Sequence, residues 1–130
     1  MIIPHLHFNR TCKEAIKLYE KAFKTKTEEI YLSEDNNMVS HAVMRIHNQT
    51  IYLNDRFGAK KKSTDISTNL VVIFDSIEDF MYSYEILKEG SLEIDPITTR
   101  PYSPLVVQFI DKYNVQWGFM VKKYQERISK

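Results

Sequence analysis

The sequence predicts an α+β domain in which one β-α-β-β-β unit is used twice. Three observations predict it. Stretches of period two and period 3.6 follow one another in an order that recurs at an offset of about 64–66 residues. The chain has 130 residues, of which 43% are hydrophobic, which suits one domain with a real core. Each half offers one amphipathic helix and a few short strands, too little to bury its own apolar faces well, so the halves are expected to form one domain.

The elements follow in order. Residues 3–8 are short and apolar, with Leu6 and Phe8 on one face and His5 and His7 on the other. Asn9-Arg10-Thr11 provides turn chemistry, and Thr11 followed by Glu14 fits a capping box. Ala15, Ile16, Leu18, Tyr19, Ala22 and Phe23 then recur at helical spacing, predicting a helix over 12–24. Strands are expected over 28–32, 39–47 and 50–54, with turns at 33–37 and 47–49. The 39–47 strand alternates: Ala42, Met44 and Ile46 face one way, His41, Val43 and Arg45 the other. Residues 55–66, rich in Lys, Ser and Thr, are expected to form a mobile connection. The second half repeats the order: a strand over 69–74, then a helix capped by Asp75 or Ser76 and ended by Gly90. A short strand at 92–94 follows, then a loop over 96–104 holding three prolines. Strands over 105–110 and 115–121 come last, joined by Asp111-Lys112-Tyr113-Asn114. The charged tail, 122–130, is expected to be a frayed helix. Module one is thus 1–60 and module two 65–122.

Composition removes several function classes. Lys and Arg number 18 against 17 Asp and Glu, and the one basic run is Lys60-Lys61-Lys62, so nucleic acid is not the expected partner. Three glycines, Gly58, Gly90 and Gly118, make no phosphate loop, and no Gly-x-Ser-x-Gly elbow exists. The single cysteine, Cys12, excludes an internal disulfide and suits a reducing compartment. No apolar run approaches the roughly 20 residues of a membrane helix. A cytoplasmic protein without membrane contact is expected.

Pro4-His5-Leu6-His7-Phe8-Asn9, Cys12-Lys13-Glu14-Ala15 with Tyr19, His41-Ala42, Ile51-Tyr52-Leu53-Asn54-Asp55, Pro96 and Asp111-Lys112-Tyr113-Asn114-Val115-Gln116-Trp117 stand in a familiar order. Together they resemble the PhnB-like branch of the vicinal oxygen chelate (glyoxalase/bleomycin resistance/dioxygenase) superfamily over nearly the whole chain. The resemblance implies two βαβββ modules forming a cupped mixed sheet, with helices on the convex side, and a homodimer. The branch often carries a methyltransferase label, which a chain this short and without a glycine-rich loop does not support. In metal-dependent members four inner side chains, mostly His and Glu, hold one divalent cation. Here the equivalent positions fall at Ile3 or His5, Tyr52, Asn69 and Gly118, a poor donor set. No metal or other cofactor is therefore expected.

The face opposite the helices carries the candidate ligand-binding residues His5, His7, His41, Arg45, Tyr52, Asn54, Asn69, Gln108 and Gln116. Such a face is polar either because it meets water or because it lines a pocket. Histidine can serve as base or ligand near neutral pH, and His5, His7 and His41 together could make an unorthodox metal site. Arg45 suits an anionic group of a ligand or a surface ion pair. Cys12, at a helix start, is either a lowered-pKa thiol or a small buried filler. Asp55 and Asp111 read as turn residues, Trp117 as core. Three functions compete: metal-free binding of a small molecule in the cup, a glyoxalase- or dioxygenase-like metalloenzyme, and a structural or regulatory dimer without ligand.

Overall fold

Alternation along the strands is realised as two four-stranded sheets, each covered on one face by a helix of its own unit. The computed structural model describes residues 1–56 and 68–123, and the chain divides into the units Met1–Ser67 and Thr68–Lys130. The first unit runs β1 (His5–Phe8), α1 (Cys12–Ala22), β2 (Thr27–Leu32), β3 (Val39–Ile46) and β4 (Gln49–Asp55). The second runs β5 (Leu70–Phe74), α2 (Ile77–Leu87), β6 (Leu92–Arg100), β7 (Ser103–Ile110) and β8 (Gln116–Val121). Their strand orders are β1-β4-β3-β2 and β5-β8-β7-β6. The first strand of each unit lies parallel to the last, and the remaining pairs are antiparallel. The duplication is therefore one of topology and register. Arg56 N–H donates to the Phe8 carbonyl and Lys122 N–H to the Phe74 carbonyl, an offset of 66 residues in both partners. The tail over 124–130, Lys60-Lys61-Lys62 and most of the 55–66 connection lie outside the described residues.

In the first unit the predicted inner residues Phe8, Ala42, Met44, Ile46, Ile51 and Leu53 are buried, with Leu6 half-buried. They meet Ala15, Ile16, Tyr19 and Ala22, the buried stripe of α1. Each large apolar side chain fully removed from water contributes about 1.5–3 kcal/mol. The β3–β4 turn is built by His47 (φ 47°) and Asn48 (φ 67°), both left-handed, as a twisted two-residue hairpin requires.

The start of α1 departs from the sequence expectation. Thr11 makes no side-chain capping bond, so no capping box forms. Asp55 takes over this role from a distance. It is the last residue of β4 rather than a loop or turn residue, and it is 1% exposed. Its Oδ1 accepts from Cys12 N–H at 3.0 Å and its Oδ2 from Val39 N–H at 2.9 Å. One carboxylate thus holds the first helical N–H, sits at the positive end of the helix, and fixes the start of β3.

The second unit packs an aromatic core. Phe119 lies 5.0 Å from Phe74, 5.1 Å from Phe109 and 6.0 Å from Trp117, between ring centroids. Ser76, not Asp75, caps α2 by accepting from Asp79 N–H at 3.1 Å. The helix ends at Leu87, and Gly90 (φ 72°) makes the left-handed turn just beyond it. The expected loop over 96–104 is replaced by a nine-residue strand, a two-residue turn at Pro101-Tyr102, and the start of β7. The prolines are tolerated for positional reasons. Pro96 lies in the edge strand β6, Pro101 in the turn, and Pro104 next to the first residue of β7. Three register irregularities along β6 absorb the misfit. The hairpin is closed by Thr99 Oγ1 donating to the Pro104 carbonyl (3.0 Å). It is tied to β8 by buried Ser103, whose Oγ donates to the Val121 carbonyl (2.7 Å) and accepts from Val121 N–H (3.1 Å). Asp111 is a turn residue as expected, but buried: it accepts from Tyr113 N–H, Val115 N–H and Trp117 Nε1–H.

Removing the Asp55 carboxylate strands two buried N–H groups, each costing about 1–3 kcal/mol. Asp55→Ala is expected to lower unfolding free energy by about 3 kcal/mol in urea titrations, with Asp55→Asn recovering part of the loss.

Candidate functional site

Two polar faces, one on each unit, carry the candidate residues. On the first sheet, strand register sets side chains in rows. His5 pairs with Tyr52 and Tyr52 with Val43; His7 pairs with Asn54, and His41 with Tyr31. Side chains directly opposite on neighbouring strands share a face, so the rows form one platform of imidazole and phenol rings. His5 and His7 rings lie 4.2 Å apart, His41 and Tyr52 4.7 Å, His5 and Tyr52 5.9 Å, and His5 and His41 6.5 Å. Tyr31, absent from the sequence-based set, stacks on His41 at 6.1 Å. Its signal was available, since the 28–32 strand pairs with 39–47, but the register was not.

The histidines gather without converging on a point. Among the described residues no group of three His, Cys, Asp or Glu side chains is placed to hold a metal ion. Burial, then the neighbouring His7 and His41, push the His5 pKa below the ordinary imidazole value, because a proton there is poorly solvated and repelled. Asn54 Oδ1 is buried without a hydrogen-bond partner. Arg45 lies at the hairpin end, 3.6 Å from Glu28 and donating to the Asn48 carbonyl. Both ends of that pair are about half exposed, so the ion pair is weak.

On the second sheet the 66-residue offset places Val71 opposite Gly118, where the first unit has His5 opposite Tyr52. A Cβ on Gly118 would stand 3.0 Å from Asn69 Nδ2, so the amide of Asn69 occupies the space that a side chain at 118 would need. Beside this gap lies a pocket of about 120 Å³ lined by Asn69, Val71, Asp95, Arg100, Tyr102, Gln108 and Gly118, among others. A glycine inside a strand commonly marks such a close approach. The structure brings Asn69 and Gln108 together here, while Gln116 lies further along β8, outside the lining. Asp95, Arg100 and Tyr102 were missed because they fall at or within the stretch read as a proline loop, where no alternation assigns a face.

The positions that the resemblance implies for cation donors are Ile3 or His5, Tyr52, Asn69 and Gly118. Tyr and Asn are poor donors for a transition-metal site, and Gly118 has no side chain to offer. Cys12 is buried, and burial, then Asp55 and Glu14, raise its pKa to about 12. The positive helix end does not activate it, because the thiol is buried and the Asp55 carboxylate is already there. Among the described residues no helix is long and apolar enough to cross a membrane.

Solved structures share this fold. A PhnB protein from Bacillus cereus, described as a 3-demethylubiquinone-9 3-methyltransferase, superposes with a TM-score of 0.83 at 21% identity, covering 92% of this chain and 98% of that one. A glyoxylase/bleomycin resistance protein/dioxygenase domain from a Frankia species gives 0.74 at 16% identity, covering 97% and 93%. The fosfomycin resistance protein FosX from Listeria monocytogenes, complexed with Mn(II) and dihydroxypropylphosphonic acid, gives 0.66 at 12% identity, covering 92% and 90%. No family model and no curated protein sequence matches the chain. The chain shares the fold of these PhnB, glyoxylase/bleomycin resistance/dioxygenase and fosfomycin resistance proteins.

Two predictions test the local chemistry. By NMR titration the His5 imidazole is expected to hold its neutral form to lower pH than a free histidine, and His7→Asn is expected to move its midpoint upward. Cys12 is expected to resist alkylation at pH 8 in the folded protein and to react once urea unfolds it.

Proposed function

We propose that this protein binds a small molecule on the sheet faces turned away from its helices, without a divalent metal. The pocket over Gly118 carries this reading. The position that would hold a metal donor has no side chain, and the space beside it is walled by Asn69, Gln108, Arg100 and apolar residues. Such a mixture of apolar walls and a few aimed polar groups is how small-ligand sites are built. His5, His7, His41, Tyr52 and Asn54 offer a second polar platform on the first unit, with Arg45 at its margin. We place the protein in the cytoplasm as a homodimer, with neither nucleic acid nor membrane as partner.

The competing reading is a metalloenzyme using His5, His7 and His41, favoured by the proximity of those three rings. Native mass spectrometry separates the readings and reports oligomeric state together with them. A dimer carrying no stoichiometric metal, and capturing members of a metabolite panel, is the expected result. One bound Zn, Ni, Mn or Fe per chain, lost in His41→Ala, would replace the proposal with the metalloenzyme. Gly118→Val should fill the pocket floor and cut small-molecule capture at least tenfold while the fold persists, because Asn69 can rotate its flexible amide away.

A further inference from the structure

The pocket on the second unit holds two opposite charges that do not satisfy each other. Asp95 and Arg100 both line it, on one edge strand, and neither is engaged in an ion pair among the described residues. Both are exposed at the rim of the pocket, and what distinguishes them is that one concave surface carries both signs. The backbone keeps the two apart. Asp95 is in register with Gln108, whereas Arg100 is in register with Ser103 beside the Pro101-Tyr102 turn, and the irregular stretch containing Pro96 lies between them. The turn is held by Ser103 and Thr99 bonds, so Arg100 and Tyr102 stand on a fixed hairpin end. Val71, Val106 and Met120 supply apolar wall, and Asn69 and Gln108 supply amide groups. A pocket of about 120 Å³ is close to the roughly 150 Å³ cavity that holds a benzene-sized ring. The pocket is partly open to solvent, so the apolar part of an amino acid can enter it while the charged end lies at the exposed rim, where Asp95 and Arg100 stand.

We propose that this pocket recognises a small amphoteric ligand of the amino-acid class: a carboxylate taken by Arg100, an ammonium group taken by Asp95, and an apolar side chain lying against Val71, Val106 and Met120. The proposal rests on the small-molecule-binding reading and gives it a ligand class. A ligand with both signs uses both unpaired groups at once, while a plain anion leaves Asp95 as a repelling neighbour and a plain amine leaves Arg100 as one. The planar guanidinium matches a carboxylate with two parallel hydrogen bonds. Gly118 lets the Asn69 amide lie close against β8, and the Asn69 and Gln108 amides can bond the ligand's remaining polar atoms.

Backbone-amide NMR of the full chain, titrated with L-phenylalanine, 3-phenylpropanoate, phenethylamine and benzyl alcohol, tests the proposal. L-phenylalanine is expected to shift the Gly118 and Gln108 amides with an affinity about tenfold above either singly charged analogue, the difference that one charge-assisted hydrogen bond supplies. Arg100→Gln should abolish the advantage of L-phenylalanine over phenethylamine, and Asp95→Asn its advantage over 3-phenylpropanoate, each with the rest of the spectrum unchanged. Equal affinity for the two single-charge analogues and L-phenylalanine would overturn the proposal, as would variants that keep the wild-type ranking. Shifts from benzyl alcohol alone would retain the pocket and reject its amphoteric ligand. Silence at Gly118 and Gln108 with all four probes would reject both.

Discussion

The first unit depends on where one carboxylate sits. Asp55, at the end of β4, receives the first N–H of α1 and the first N–H of β3. Helix and hairpin thereby share a single buried anchor, and the polar face on the far side of the sheet inherits its register. A buried carboxylate is costly unless its oxygens are bonded, and here each oxygen is bonded to a backbone donor that would otherwise be stranded. The same placement adds to the effect of burial on the Cys12 thiol, since the negative charge that satisfies Cys12 N–H also disfavours a thiolate there.

The second unit solves the same two problems with different groups. Ser76 caps its helix, and Ser103 ties the start of β7 to the end of β8. Two hydroxyls, 27 residues apart in sequence, replace one carboxylate. Duplicated topology therefore persists while the local chemistry differs, because a fold demands that donors and acceptors be satisfied and does not dictate by which side chain.

This freedom extends to the polar faces. Where the first unit sets His5 against Tyr52, the second sets Val71 against Gly118. The first face is a layer of rings in which burial, then the neighbouring His7 and His41, lower the His5 pKa. The second is a gap bordered by an amide, an arginine and an aspartate. One fold thus presents two polar faces of different chemistry, and among the described residues neither gathers three His, Cys, Asp or Glu side chains in a metal-holding group.

Much of this was legible in the chain itself. The period-two pattern determined which faces of β3, β4 and β8 are buried, since alternation is a property of the extended backbone. The helical stripe from Ala15 to Ala22, a cap at Asp75 or Ser76 and the His5/His7 and His41 side of the sheet follow from local rules of the same kind. Tertiary structure decided what local rules cannot express. Asp55 reads as a turn residue because its partners lie 43 and 16 residues away. The proline-rich stretch reads as a loop because only its position at a sheet edge makes Pro96 acceptable in a strand. The pocket residues Asp95, Arg100 and Tyr102 were hidden with it. Alternation assigns a side chain to a face, whereas a site needs side chains at particular distances, and distances between strands are set by a register that only the folded sheet possesses.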